Sequence, residues 1–368
     1  MGAGRLARDL HPVAWWVWAV GLAVAASCTT NPWLLLVLLG VVTLVVLTCR
    51  SDQPWARSFR LYVWLGVVVL VVRILFRVLL GGDVPGHVLF TLPSIPLPDW
   101  AAGISLLGPF TREELLAATY EGLRLATLLI AVGAANALAN PKRLMKSLPP
   151  ALYEIGTAMT VAISVVPQLA DSARRVRAAQ QLRGGPEGRF RRVRGVRRLL
   201  VPILEDAFDR SLALAAGMDA RGYGRTGELT AIQRRRTGAL IIGGLAGVCV
   251  GVYAFLDSTA PRLLALPMLV LGMLLALGGF ALAGRRVQRT RYRPDRWQLP
   301  ELVVAGAGIA AGAGMWALQR WDTAVAHPGV LVRPDVSLLA LAAALVAVLP
   351  VWAAPLPVTA RRRVEVVA

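Results

Sequence analysis

Metal and thiol chemistry have little to work with in this sequence: its 368 residues include three histidines and three cysteines. Cys28, Cys49 and Cys249 stand singly in or beside apolar runs, with no metal spacing and no disulfide framework, so they read as packing residues. His11, His87 and His327 lie far apart without neighbouring ligands, which argues against a metal site. No Gly-x-x-x-x-Gly-Lys-Ser/Thr phosphate loop occurs, so the chain is not expected to bind ATP in the usual way. Nor does any Ser/His/Asp or Cys/His arrangement point to nucleophilic catalysis. The chain is read as not an enzyme, with no cofactor of its own. Acidic residues are scarce as well: 21 Asp and Glu against 40 Lys and Arg leave a net charge of +19.

What the chain has is apolar length. Its hydrophobic fraction is 56%, well above the roughly 45–50% of soluble domains. Apolar runs cover 13–27, 33–48, 61–80, 115–139, 238–256, 263–283, 302–318 and 337–354. About twenty such residues cross a bilayer core of about 30 Å, and shorter runs are accommodated by thinning or by neighbours. The two-residue alternation of barrel strands is absent, so the expected class is an all-α polytopic membrane protein of about eight spans. Arg5 and Arg8 precede the first run, but the second follows almost at once, as in a helical hairpin and unlike a cleaved signal peptide.

The basic residues cluster at 50–60, 174–198, 221–236, 285–296 and 361–363, whereas the stretch from Gly81 to Pro109 carries none. A charge of +19 invites a nucleic-acid reading, but the positive-inside rule accounts for this placement, and no nucleic acid is expected as a partner. Alternating the spans from an inside start puts both termini in the cytoplasm of a cell-membrane protein. The loop from Gly81 to Thr111 then lies outside, where Pro93, Pro96 and Pro98 forbid a continuous helix. The segment from Ala151 to Gln168 is apolar enough to cross, yet crossing would carry the arginine cluster outside. Its polar stripe of Glu154, Thr157, Thr160 or Ser164, and Gln168 supports a non-spanning helix at the inner interface.

Two helices are expected in the polar insert. Leu169 to Arg183 places Leu169, Ala173, Val176 and Ala179 or Gln180 on one face, and Gly184-Gly185-Pro186 stops it. A second begins near Pro202, with Leu204, Phe208, Leu212 and Ala215 on one face and Glu205, Asp206 and Asp209 in its early turns, where acidic groups suit the dipole. It closes at Ala220-Arg221-Gly222, as the first closes at Leu182-Arg183-Gly184. One arginine at a helix end has an ordinary explanation, since it complements free carbonyls. Two matched Arg-Gly ends in one insert point instead to a grip on a soluble partner. Arginine's planar fork binds carboxylates in two-pronged fashion and keeps its charge when buried.

Several segments, taken in order, resemble the transmembrane T subunit of energy-coupling factor (ECF) transporters, the family of the cobalt-transport Q-type permeases. They are His11-Pro12, Asn31-Pro32-Trp33, Glu121-Gly122-Leu123-Arg124, Asn140-Pro141-Lys142-Arg143-Leu144 and Val166-Pro167. Then follow the stretch from Arg177 to Gly184 and that from Met218 to Tyr223, so that the resemblance covers roughly residues 5 to 256. It implies two long cytoplasmic coupling helices crossing in an X, with Arg183 and Arg221 inserted into grooves of two ATP-binding cassette ATPases. Those ATPases would use the ATP, and a separate substrate-binding integral membrane S subunit would carry a vitamin or transition-metal cargo. Two departures stand out: Leu182 replaces the commoner alanine, and the spans after about Arg262 exceed the usual family length.

The implied organisation is a four-helix transmembrane region over 1–149, a coupling-helix region over 150–236, and four further spans over 237–368, the later ones an extension. Within the spans, Arg73 and Arg77 share a face, and Arg124 follows Glu121 by three. Such charges pair across neighbouring spans or snorkel to the lipid surface. In the functional variant, Glu121 and Arg124 support the surface that docks the S subunit. Two other readings stay open. A self-contained secondary transporter would need polar groups converging at mid-membrane. A membrane-anchored binder of anionic lipid or nucleic acid would show strong salt dependence without needing Arg183 and Arg221 in particular.

Overall fold

The structure, a computed structural model, describes residues 8–80, 86–91, 93, 95–96, 105–147, 152–182, 192–222, 230–257, 261–285 and 296–355. Six helices among them are long and apolar enough to cross a membrane. Two shorter apolar helical segments, Pro12–Ser27 and Leu338–Ala353, stand where the other two expected spans fall. The chain is therefore an all-α polytopic membrane protein, and it divides into two compact units.

The first unit comprises Met1–Leu144 and Pro294–Ala368. Helix α1 (Pro12–Ser27) and helix α2 (Pro32–Cys49) start alike, each with proline at its first position and a side chain capping it. His11 Nδ1 accepts from the Val13 amide at 3.3 Å, and the Asn31 side chain accepts from the Trp33 amide at 3.1 Å. Proline suits that position because its missing N–H would have no helical partner there. These caps explain the His11-Pro12 and Asn31-Pro32 pairs.

Helix α3 (Phe59–Leu80) packs along α4 (Arg112–Leu138), whose start is a capping box between Thr111 and Glu114. Between them the chain forms β1 (Val88–Thr91), β2 (Ile95–Pro96), β3 (Ser105–Leu106) and β4 (Pro109–Thr111). Strands β1 and β4 pair antiparallel, as do β2 and β3, and Phe90 stacks on Phe110 with ring centroids 5.1 Å apart. Among the described residues of this loop none is helical, and Pro96 itself stands in the short β2–β3 pair. Asn140 then caps α5 (Pro141–Lys146) by accepting from the Lys142 amide at 3.0 Å, and Arg143 donates to the Asp9 carbonyl at 2.9 Å.

The last spans complete this unit. Helix α10 (Leu299–Trp321) runs against α1, and α11 (Thr323–Ala326) leads to α12 (Leu338–Leu345), a 3-10 turn and α13 (Pro350–Ala353), which lie beside α2 and α10. Gly21 and Gly308 let α1 and α10 touch backbone to backbone, since a Cβ on Gly308 would overlap Trp18. Glu301, buried at the start of α10, receives Arg8 Nη2 on both oxygens at 2.7 and 2.8 Å and the Gln298 amide at 3.1 Å. At the other end, buried Asn31 donates to the carbonyls of Val325 (2.9 Å) and Asp335 (2.8 Å), while Thr29 Oγ1 donates to that of Ala326 at 2.7 Å. Trp18 Nε1 donates to the Ala347 carbonyl at 3.0 Å. The segment beyond the resemblance thus forms part of the core around the first two helices.

The second unit is Met145–Arg293. It contains α6 (Tyr153–Leu182), α7 (Arg192–Ala220), α8 (Ala231–Leu256) and α9 (Arg262–Arg285). Helices α8 and α9 form a close pair in which Cβ atoms on Gly251 and Gly272 would run into Leu269 and Val248 at 2.6 and 2.5 Å. Helices α6 and α7 differ from expectation in length. Pro167 and Pro202 lie inside them and do not end them. A proline removes one hydrogen bond and crowds the preceding turn, at about 3 kcal/mol, yet a long helix can absorb that as a kink. Thus 151–168 continues into the next helix, and the second helix starts ten residues before Pro202.

Candidate functional site

Neither α6 nor α7 is among the helices long and apolar enough to span. They meet through a polar cluster. Ser172 on α6 is buried and donates to Asp206 Oδ2 on α7 at 2.5 Å. Arg210, one turn on, binds the same carboxylate through Nη2 and Nε, each at 3.0 Å, and Arg175 of α6 stands 3.7 Å away. The Ser172 hydroxyl, then the Arg210 and Arg175 guanidiniums, hold Asp206 below the ordinary aspartate range against an opposing effect of desolvation. Asp206 was expected in the early turns, serving the dipole. Because α7 begins at Arg192, Asp206 sits mid-helix and serves the contact with α6 instead.

The inner face of α6 carries Leu169, Ser172, Ala173 and Val176, as the period predicts apart from the serine. On α7 the stripe of Leu204, Phe208, Leu212 and Ala215 faces away from α6: Phe208 is 65% and Leu212 68% exposed, while Ile203, Asp206 and Ala207 turn inward. This large apolar stripe on a non-spanning helix has no cover within the described residues, which is the mark of a protein or membrane contact.

Leu182, the last residue of α6, is 89% exposed. Arg183 and Gly184 lie outside the described residues. The other end is fully described: the Arg221 amide donates to the Met218 carbonyl at 3.1 Å and the Gly222 amide to that of Asp219 at 2.9 Å. Gly222 has φ 73°, the left-handed conformation that glycine adopts without a Cβ penalty and that closes a helix. Ala220 and Arg221 are exposed, and the Arg221 guanidinium makes no hydrogen bond or ion pair with any described residue. The ordinary role of capping carbonyls is therefore not the one this side chain fills.

Glu121 and Arg124 do not pair with each other. Glu121 pairs with Arg73 of α3, and Arg124 donates to the carbonyl of Ser27 at the end of α1. Arg77 approaches buried Glu114 at 3.9 Å. Sequence reading missed Ser172 and the clamp built on Asn31. Ser172 carried one usable signal, a polar residue on the apolar face of its helix.

Six candidate spans and two long helices outside their number, one ending in an exposed arginine on a glycine turn, define a polytopic helical membrane protein. Comparison with known proteins supplies the family. Residues 3–231 match the model of the CbiQ family, described as cobalt transport protein. The chain belongs to this family and is an ECF-type transporter membrane subunit. It is similar to three relatives named energy-coupling factor transporter transmembrane protein EcfT. The protein from Leuconostoc gelidum subsp. gasicomitatum is 30% identical over 198 residues, 50% of this chain and 66% of the relative. That from Streptococcus equi subsp. equi is 32% identical over 142 residues, 38% of this chain and 51% of the relative. That from Lactococcus lactis subsp. cremoris is 27% identical over 200 residues, covering 52% and 71%. The chain thus spans between about half and two thirds of the length of the first two. The family match takes in α6 and α7 and stops at the first residue of α8, so the helices that follow lie beyond it.

Proposed function

We propose that this chain is the scaffold and coupling subunit of an ATP-driven importer of a micronutrient, a vitamin or a transition metal. Two cytoplasmic ATP-binding cassette ATPases receive the ends of α6 and α7 in acidic grooves, Leu182-Arg183-Gly184 in one and Ala220-Arg221-Gly222 in the other. ATP binds to those partners and no cofactor binds to this chain. Closure of the ATPases moves the crossed helices, and a separate substrate-binding S subunit in the membrane responds by releasing its cargo inward. The exposed stripe of Leu204, Phe208 and Leu212 offers that subunit an apolar track, and Glu121 and Arg124 support the membrane surface on which it docks.

The observation that carries this reading is the end of α7. An arginine held out on a left-handed glycine turn, unpaired among the described residues, suits two-pronged recognition of a carboxylate. In the first unit, the end where α1 begins collects Arg50, Arg57, Arg60, Lys142 and Arg143, whereas Arg112, Arg320 and Arg333 stand at the other. By the positive-inside rule the first end is cytoplasmic, and with it both termini of a cell-membrane protein.

The test is purification of the tagged chain from its native membrane in mild detergent. Wild type should bring two ATP-binding proteins and a small membrane protein. Arg183→Glu with Arg221→Glu should lose the ATPases while the chain stays folded. A wild-type chain that brings no ATPase, yet drives uptake from an ion gradient alone in liposomes, would overturn the proposal in favour of a self-contained transporter.

A further inference from the structure

Away from the helical arm, α3 and α4 enclose a groove of about 430 Å³ that opens on the outer face of the first unit. Val68, Val72 and Leu125 line its apolar part, and Arg73, Arg77 and Glu121 its polar part. The two helices touch below it, where a Cβ on Gly122 would meet Leu70 at 2.7 Å and one on Gly66 would meet Ile130 at 2.9 Å. Helix α3 is barely covered: only 6% of its apolar window is buried. A charged groove on so exposed a span faces hydrocarbon and headgroups unless something fills it.

The charges in the groove are unevenly satisfied. Arg73 is paired with Glu121. Arg77 makes no hydrogen bond with any described residue: its Nε is buried without a partner, and its nearest carboxylate, Glu114, is 3.9 Å off. Glu114 is itself buried, with one oxygen committed to the Thr111 amide at 3.2 Å and the other without a hydrogen bond, held only by the 3.9 Å ion contact with Arg77. A guanidinium offers five N–H donors, and among the described residues none of these finds a hydrogen-bond acceptor here. It stands three residues before the end of α3, about 4.5 Å along the axis, where a span of this length would meet the headgroups.

We propose that this groove holds one phospholipid, its phosphate on the Arg77 guanidinium and an acyl chain along Val68, Val72 and Leu125. The fork of N–H donors matches phosphate oxygens, which supply the missing acceptors. The exposure of α3 gives the chain a route in from the bilayer. Glu121 keeps Arg73 engaged, so Arg77 carries the contact.

The experiment uses the full chain purified in mild detergent, with phosphatidylglycerol titrated in and bound lipid counted by native mass spectrometry. Wild type should retain one phospholipid more tightly than the annular pool. Arg77→Gln should bind it about tenfold more weakly or worse, the loss of a charge-assisted hydrogen bond. Arg333→Gln, which removes an exposed cation at the same end, should not change it. Val72→Trp fills the apolar part and leaves Arg77 in place, so it should also expel the lipid. That variant decides the matter if Arg77→Gln, which strips Glu114 of its ion-pair partner, fails to fold. Equal retention in wild type and Val72→Trp overturns the proposal. So does a photo-crosslinker at Val72 that captures a protein helix instead of lipid in the native membrane.

Discussion

Replacing Asn31 separates a helix cap from a clamp, because one side chain does both. Its oxygen caps α2 through the Trp33 amide, and its nitrogen donates to two carbonyls of the 325–335 segment. In Asn31→Ala the cap is lost, at about 1 kcal/mol. Two carbonyls also lose their donor in a buried site, at about 1 kcal/mol each. The sum is about 3 kcal/mol, or roughly a hundredfold in the equilibrium for opening the turn between α1 and α2. Cys28 provides the readout. It is free and buried, 6% exposed, three residues from Asn31. Its labelling by a thiol reagent, assigned by peptide mass spectrometry to distinguish it from Cys49 and Cys249, tracks the open fraction when reclosing is faster than labelling.

Asn31→Ser should fall between, since a hydroxyl restores the cap but cannot span both carbonyls. Asn31→Asp should be worse than Asn31→Ala even though it keeps the cap. An ionised carboxylate has no donor and would face two carbonyl oxygens where the amide now sits 2.8 and 2.9 Å away. Thr29 and Thr30 keep their bonds to the Ala326 carbonyl in every variant, at 2.7 and 3.0 Å, so the segment should loosen without detaching. Labelling of Cys28 that rises less than about threefold in Asn31→Ala, or an aspartate variant as tight as wild type, would refute the clamp.

Other outcomes follow from the same contacts. Gly308→Ala should disrupt the seating of α10 on α1, since its Cβ overlaps the Trp18 backbone, at about 1–3 kcal/mol or more. Gly306→Ala, with open space around its Cβ, should be neutral or slightly stabilising in the same thermal unfolding assay in detergent. Asp206→Ala should widen the distance distribution between spin labels at Ala179 and Ala213. Because the folded state lowers the Asp206 pKa, wild type should hold its crossing fully above the ordinary aspartate value and lose that contribution as pH falls through the lowered one. Arg221→Lys should retain part of the ATPase binding that Arg221→Glu abolishes, because a single ammonium replaces the two-pronged contact; equal binding by both variants would argue against the inserted-arginine reading.

The long apolar runs were legible because lipid-facing helices need only length and hydropathy, and the caps of α1, α2 and α5 stand in plain sequence as His11-Pro12, Asn31-Pro32 and Asn140-Pro141. The glycine closing α7 was legible for the same local reason. What escaped is non-local. Nothing around Arg124 indicates that its partner is the Ser27 carbonyl, because a backbone acceptor leaves no mark on composition. Gly21 and Gly308 are 287 positions apart, and their contact turns what read as an extension into a neighbour of α1. Pro167 and Pro202 misled in the other direction. As local signals they argue for helix ends, whereas the turns on either side outweigh one missing bond apiece. That error displaced Asp206 to a helix start and hid its meeting with Ser172.

The two units distribute their stability differently, which bears on what each can do. In the first, α1 is fixed at one end by the buried Glu301 with Arg8 and at the other by the turn that Asn31 clamps, with a backbone-to-backbone approach between. In the second, α6 and α7 run 30 and 29 residues and share one cluster around Asp206, with large apolar side chains on α7 left open. Elements with few buried contacts open and shift at low free-energy cost, whereas densely interlocked ones move only as a whole. Two helices that meet around a polar cluster can shift by sliding a few side chains, since a hydrogen-bonded carboxylate between two arginines tolerates rotation better than interdigitated leucines do. Helix α7 has no proline between Asp206 and Arg221, so a push at the Arg221 end reaches the contact with α6 with little lost to bending. Under the proposed function that is the division of labour required: one unit serves as a rigid membrane frame, and in the other a pair of helices moves about a polar contact.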